Sequence, residues 1–281
     1  MKKLFLLIAF PIIVSAQITT TKLKPTSEVP KVQYDSIQNF LGENAYGYLN
    51  QELYLPHLNE KLREYGWRDF DDDFPTSSIR GGYDYDELAD KYFIVMKIDR
   101  AEYSFGDYIF TLKEKKKGKI YYFQYQPSFK HTFPFIVVGY YNKMKERYVG
   151  KDLFVLNKEK SSVFRCIDLT LDSVYFNLQL LLEKTNKEKK LFPFAFVEKP
   201  NFILFKEEAD YLKQKYGEEL WNAVLNNKIE IGMTKELCEV AWGKPLEINE
   251  TIIEGKKSEQ WVYLGNTYLY FENNLLAGIQ K

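Results

Sequence analysis

The chain is poor in the side chains on which most enzymes and metal proteins depend. Among its 281 residues are two histidines, His57 and His131, and two cysteines, Cys166 and Cys238. Two cysteines so far apart make neither a zinc-finger spacing nor a dense disulfide framework. No Gly-x-Ser-x-Gly turn is present, and neither histidine stands beside one, so Ser–His or Cys–His hydrolysis lacks its usual signature. A solvated or capping role suits both histidines. His-Glu-x-x-His, Cys-x-x-Cys, the phosphate loop and the dinucleotide fingerprint are all absent. The Gly-Lys pairs at Gly118, Gly150 and Gly243 lack the upstream glycine of a phosphate loop, which excludes nucleotide chemistry; no cofactor is expected. An excess of one charge is missing as well. With 39 Lys and Arg against 39 Asp and Glu, nothing predicts a nucleic-acid partner.

What the chain has in quantity is aromatic residues, 22 Tyr and 21 Phe. With frequent Val and Ile they predict many half-buried strands rather than a helical bundle. Residues 1–16, MKKLFLLIAFPIIVSA, have the form of a secretory signal. Lys2 and Lys3 precede the apolar run Leu4–Val14, and Val14 and Ala16 suit a cleavage site before Gln17. The run is too short to span a bilayer, which needs about 20 apolar residues, and no other stretch approaches that length. Gln17 stands where a bacterial lipoprotein would carry Cys. The expectation is an exported protein, periplasmic or extracellular, without a lipid anchor and without a transmembrane span after cleavage. Residues 17–33, polar and containing Pro25 and Pro30, read as an extended linker.

From Tyr34 onward apolar residues become dense and a repeat appears. Tyr48-Leu49-Asn50-Gln51-Glu52-Leu53-Tyr54-Leu55 matches Tyr148-Val149-Gly150-Lys151-Asp152-Leu153-Phe154-Val155 in polarity at every step. Each copy is followed by strand-like runs. These are Tyr92–Asp99, Asp107–Leu112 and Lys119–Tyr125 after the first, and Val163–Leu169, Ser173–Leu182 and Phe192–Val197 after the second. Two small antiparallel β units follow from this order, one over 34–133 and one over 134–205. The pattern loosely resembles the Src-homology-three-like small barrels. A helix over Leu58–Tyr65 and loops at Trp67–Asp73 and Gly81–Asp86 decorate the first unit.

The last quarter, 206–281, reads differently. Helices are predicted over Lys206–Lys215, Glu218–Asn226 and Lys235–Trp242, with Thr234 as an N-cap and Gly243 and Pro245 as the stop. Strands Gln260–Leu264, Thr267–Glu272 and Leu275–Gln280 follow, joined by turns at Gly265-Asn266 and Asn273-Asn274. Cys238, on the inner face of its helix, and Cys166, in a predicted strand, read as buried free thiols; a disulfide is the other reading that export permits. Gly232-Met233-Thr234, an apolar position at Cys238, Gly243-x-Pro245, Trp261-Val262-Tyr263, Tyr268–Phe271 and Leu276–Ile279 resemble the BamE/SmpA-type domain family over residues 229–281. That resemblance implies a two-layer module, helices against a three-stranded antiparallel sheet, hence an α+β, β-rich chain of two small β units followed by such a domain. The family's best-known member is an accessory lipoprotein of the outer-membrane β-barrel assembly machine, and its fold resembles the repeats of a β-lactamase inhibitory protein. Both work by protein contact. The motif positions Gly232, Met233, Thr234, Cys238, Gly243, Pro245, Trp261, Tyr263 and Phe271 read as scaffold.

One cluster has chemical potential: Asp69, Asp71, Asp72, Asp73, Asp84, Asp86 and Glu87, interleaved with Trp67, Phe70, Phe74, Tyr83 and Tyr85. Oxygen-rich loops hold Ca²⁺, but no EF-hand spacing is present and no metal site is assigned. Paired carboxylates hydrolyse glycosides, and aromatic rings suit carbohydrate stacking or a protein contact. The bland alternative is a solvated loop. Three classes result. The leading one is a non-catalytic cell-envelope protein with an envelope-protein partner, using Trp67, Asp71, Asp73, Tyr83, Asp84 and Tyr85 as binding candidates and no catalytic residue. The others are a carboxylate-based hydrolase or carbohydrate binder, and an inhibitor-like binder.

Overall fold

The structure, a computed structural model, describes residues 33–57, 69–73, 75, 83–102, 106–156, 161–172, 178–197, 199, 201–253 and 255–281. The amino-terminal apolar segment, residues 17–32 of the expected linker, the 58–65 helix, Trp67, Phe74 and Gly81 lie outside them.

The first β unit contains β1 (Glu52–Leu55), β2 (Phe70–Asp71), the one-turn helix α1 (Tyr85–Leu88), β3 (Lys91–Arg100), β4 (Tyr108–Glu114), β5 (Ile120–Tyr125) and β6 (Ile136–Val137). They form one antiparallel sheet in the order β2-β5-β4-β3-β1-β6. Helix α2 (Val138–Tyr148) leads into β7 (Asp152–Val155), β8 (Ser162–Leu171), β9 (Leu178–Glu183), β10 (Lys189–Pro193), the one-turn helix α3 (Phe194–Val197) and β11 (Ile203–Phe205). Their sheet has the order β10-β9-β8-β7-β11. Apart from β2, both sheets are the same meander, in which a fifth strand returns beside the first. A short helical turn precedes that return in each, Lys130–Thr132 in one and α3 in the other.

The octapeptide repeat marks equivalent backbone. Asn50 and Gly150 both adopt left-handed φ, 62° and 81°, where Asn and Gly are the least strained residues. The turn before each strand closes identically: Gln51 N–H donates to Tyr48 C=O at 2.9 Å and Lys151 N–H to Tyr148 C=O at 3.0 Å. Next, Asn50 N–H reaches Val95 C=O at 2.9 Å, and Gly150 N–H reaches Cys166 C=O at 2.8 Å. Both second strands then break register at the same place, between Val95 and Lys97 and between Cys166 and Asp168. A bulge bends and twists a strand, so each sheet curls at the matching point.

Helix α2 was not anticipated from the sequence. Tyr140, Met144 and Tyr148, spaced by four, are buried together with Tyr141, which is helical rather than strand periodicity. At Gly139 an added Cβ would stand 2.4 Å from Tyr34 Cβ, so this position admits no side chain while Tyr34 packs there. Residues 194–197, expected to continue a strand, form α3 instead, and the strand lies earlier at β10.

The remaining elements are α4 (Lys206–Leu225), α5 (Lys235–Trp242), β12 (Glu247–Ile253), β13 (Lys256–Tyr263), β14 (Thr267–Glu272) and β15 (Leu275–Gln280). Gly217, at φ 82° and ψ 166°, interrupts α4. The last four strands form a sheet in sequence order. The α+β expectation, with a closing helix-helix-three-stranded module, is thereby overturned. Among the described residues there are fifteen strands in three antiparallel sheets, with five helices and only about 25% helix. The last sheet is four-stranded because Glu247–Ile253 pairs along its length with β13. The sequence does not mark that strand because Ile248 and Ile252 are separated on their face by Glu250 and Ile253 follows directly, which breaks the two-residue apolar period. The strands β6 and β11, of two and three residues, are too short to carry any period.

One buried apolar cluster runs from Tyr34 to Ile203 through both repeats, and a second from Leu204 to Leu276 joins α4, α5 and the last sheet. Cys166 belongs to the first and Cys238 to the second. Both are free, and burial pushes each thiol up to about 12, so neither is a ready nucleophile.

Candidate functional site

The acidic-aromatic cluster is partly spent on its own local structure. Asp71 ends β2 opposite Tyr122, and its Oδ1 accepts the Asp73 N–H at 3.1 Å. Asp84 accepts the Asp86 N–H at 2.9 Å, opening α1. Both are Asx turns, in which a carboxylate satisfies backbone at a bend. Tyr83 stands edge-on to Tyr121 with centroids 5.4 Å apart; burial first, and the Asp72 carboxylate next, push its phenol up. Lys119, which the sequence had not singled out, occupies the middle of the group. Its Nζ is 3.4 Å from Glu87 and 3.9 Å from Asp72, and lies 4.8 and 5.3 Å from the Tyr121 and Tyr83 ring centres. Asp72 and Glu87 thus share an internal cation. Tyr85 is the first residue of α1, Trp67 falls outside the described residues, and among those described no three His, Cys, Asp or Glu side chains form a metal-sized group. His57 Nδ1 meets Asp90 at 3.2 Å at the end of β1, with Asp90 also accepting the Tyr54 hydroxyl at 2.7 Å.

The motif residues of the last quarter support backbone and core. Gly232, at φ 90°, donates to Leu276 C=O at 2.8 Å. Met233, Cys238, Trp261 and Phe271 are buried. Thr234 Oγ1 accepts the Leu237 N–H at 3.3 Å as a helix cap. Tyr263 donates its hydroxyl proton to Gly243 C=O at 2.9 Å, just before Pro245. Glu259 is the charged centre of this region. It is buried, 2.5 Å from Lys235, 3.2 Å from Lys257 and 3.0 Å from the Trp261 indole N–H. Lys235 chiefly holds its carboxyl down at about 2.

A cavity of about 410 Å³ opens in the second repeat, where the end of β7 faces β10 and the segment before β11. Phe192, Phe196 and Phe202 wall it, with Phe196 5.0 Å from Phe202 and 6.3 Å from Phe192 between ring centres. Phe196 is 38% exposed although the neighbouring Phe192 is buried. Two lysines mark its rim. Lys190 lines the cavity and takes part in no ion pair among the described residues, and Lys199 Nζ lies 5.7 Å from the Phe196 ring centre. Asn201 and Asn227 complete the wall. Asn201 packs on Gly243, where an added Cβ would stand 3.1 Å from Oδ1, and that Oδ1 is buried with no hydrogen-bond partner among the described residues. A buried acceptor without a donor costs about 1–3 kcal/mol. No family model, curated protein or solved structure matches this chain. Its surface alone carries the functional reading.

The site is not legible in the sequence because its rings come from three short segments around α3, and Phe192–Val197 by itself reads as a strand. The spaced lysines around an aromatic run, Lys189-Lys190 before Phe192 and Lys199 after Phe196, were the available signal.

Proposed function

We propose that the chain is an exported, non-catalytic protein of the cell envelope that binds another protein through the second repeat. The aromatic cavity carries the reading. It is concave, mostly apolar and offers a few polar groups at fixed positions, the make-up of a binding site. Its rim is cationic in a chain with no net charge, which favours a partner segment with an aromatic or branched aliphatic anchor flanked by carboxylates. Export rests on the basic and apolar character of residues 1–16.

Peptides of that composition, measured by fluorescence anisotropy, should bind the full chain, and neutral or basic versions should not. Lys190→Glu should weaken binding about 10-fold, equal to about 1.4 kcal/mol, because it reverses a rim charge without entering a core. Equal affinity for acidic and basic peptides, or for Lys190→Glu and the original chain, would refute the reading.

A further inference from the structure

Strand edges expose unpaired N–H and C=O groups and invite pairing with another chain, so folded proteins guard them with Lys, Pro, bulges, brevity or cover. Among the described strands the edges are guarded, with one exception. In the second sheet β10 carries Lys189, Lys190 and Pro193, and at the other edge β11 has three residues. In the first sheet both edge strands, β2 and β6, have two. β15 is covered at its start, where Gly232 N–H donates to Leu276 C=O and Leu276 N–H to Met233 C=O, both at 2.8 Å. Among the described residues β12 pairs with β13 alone; it is seven residues long and contains no Lys or Pro, and of its two charged residues, Glu247 and Glu250, the second is paired to Lys257.

Its side chains make the exposure more pointed. Ile248 lies opposite Trp261, Glu250 opposite Glu259 and Ile252 opposite Lys257, so these three β12 residues share the face on which Trp261 and Glu259 are buried. Yet Ile248 is 48% and Ile252 70% exposed. The apolar face of the sheet continues outward past its helical cover and stops at an open edge.

We infer that β12 is a homodimer interface, pairing antiparallel with β12 of a second copy about a two-fold axis at Glu250. An axis perpendicular to the sheet keeps buried faces on the same side, which requires like-facing residues to meet. Centred on Glu250, it sets Ile248 against Ile252 of the other copy, twice over. Shifting the centre by one residue to Thr251 sets both isoleucines against glutamates, and shifting it to Asn249 sets Ile248 against Glu250 and leaves only Ile252 with an apolar partner, Leu246. The two Glu250 carboxylates would face each other at the axis, and each is already neutralised by Lys257 of its own chain at 2.8 Å. Charge therefore permits the one register that matches the isoleucines. The product is a continuous eight-stranded sheet with the bare edge removed.

Light scattering on protein expressed from the full-length sequence, across a concentration series, should show a dimer. Ile248→Lys with Ile252→Lys should raise its dissociation constant by at least ~10-fold with an unchanged circular dichroism spectrum, since both positions already face solvent. Glu250→Cys should oxidise to a disulfide-linked dimer. Ile248→Cys should not do so alone but should when mixed with Ile252→Cys. A monomer at every concentration, a dimer indifferent to the two lysines, or a crosslink from Ile248→Cys alone would each overturn the inference. The cysteine variants leave edge residues uncharged, so they decide the matter even where the lysines disturb folding.

Discussion

The two β repeats share a backbone and differ in what fills it. Register places Phe110 of the first at the same point as Leu180 of the second, each next to a phenylalanine on the following strand, Phe123 or Phe192. Tyr108 likewise corresponds to Leu178. The first repeat is a mass of rings, with Phe110 stacked on Tyr125 at 4.9 Å and Tyr48, Phe123 and Phe133 edge-on or tilted around them. It also carries β2 across its edge. The second is built of Leu153, Val155, Leu169, Leu178, Leu180 and Leu182, and it holds the cavity. A left-handed residue, a bulge and a five-strand order thus tolerate either filling, as expected if volume and pattern rather than particular side chains secure the fold. The cavity of the second repeat is walled by Phe192, Phe196 and Phe202, outside this aliphatic filling except for Val155.

The strongest way to break that comparison is to empty the ring cluster. Phe110→Ala should cost about 4 kcal/mol and Leu180→Ala about 3, read as the shift in urea midpoint at constant slope. A larger loss at Leu180 would mean that the second repeat, not the first, anchors the shared core. Glu259 provides a reference outside both repeats. Glu259→Gln should cost roughly 2 kcal/mol, less than for a fully buried pair because Lys257 is half in water. Its carboxyl is held low in the folded chain, so its contribution is complete above the ordinary carboxylate range and is lost as pH falls toward about 2. The gap in melting temperature between the original chain and Glu259→Gln should therefore close over that acid interval and stay constant at higher pH.

Exchanging the turn residues sharpens the comparison. Gly150→Ala should cost about 1–2 kcal/mol from its left-handed φ, whereas Gly150→Asn, which copies the first repeat, should cost no more than about 0.5. Equal losses would show that the two turns are not equivalent. The smallest effect is Thr234→Ala, about 1 kcal/mol from the α5 cap, which should leave both repeats untouched in hydrogen exchange.

Legibility followed the length of the pattern. β3, β4, β5 and β8 announced themselves through alternating aromatic and aliphatic residues, and the matched octapeptides were visible because polarity recurs at every step. Helix α2 was hidden by tyrosines, which suit strands as well as the buried stripe of a helix. β12 was hidden because Ile248 and Ile252 are exposed and Glu250 stands between them on the same face, so no apolar alternation marked a core. The acidic cluster was conspicuous in the sequence, but Lys119 stands just before β5, and the pairing of β2 with β5 is what brings it beside Asp72. Phe196, Phe202 and Asn201 meet only once α3 turns the chain, a contact that no local spacing encodes.

The claim that the second repeat is the binding unit is tested most directly by methyl-labelled NMR during titration with an acidic peptide bearing an aromatic anchor. Shifts confined to Val155, Leu156 and Leu191, with Val95, Ile98 and Leu112 of the first repeat unmoved, are the predicted result. Shifts centred instead on Leu88 and Ile120, beside Lys119 and the acidic turns, would contradict it.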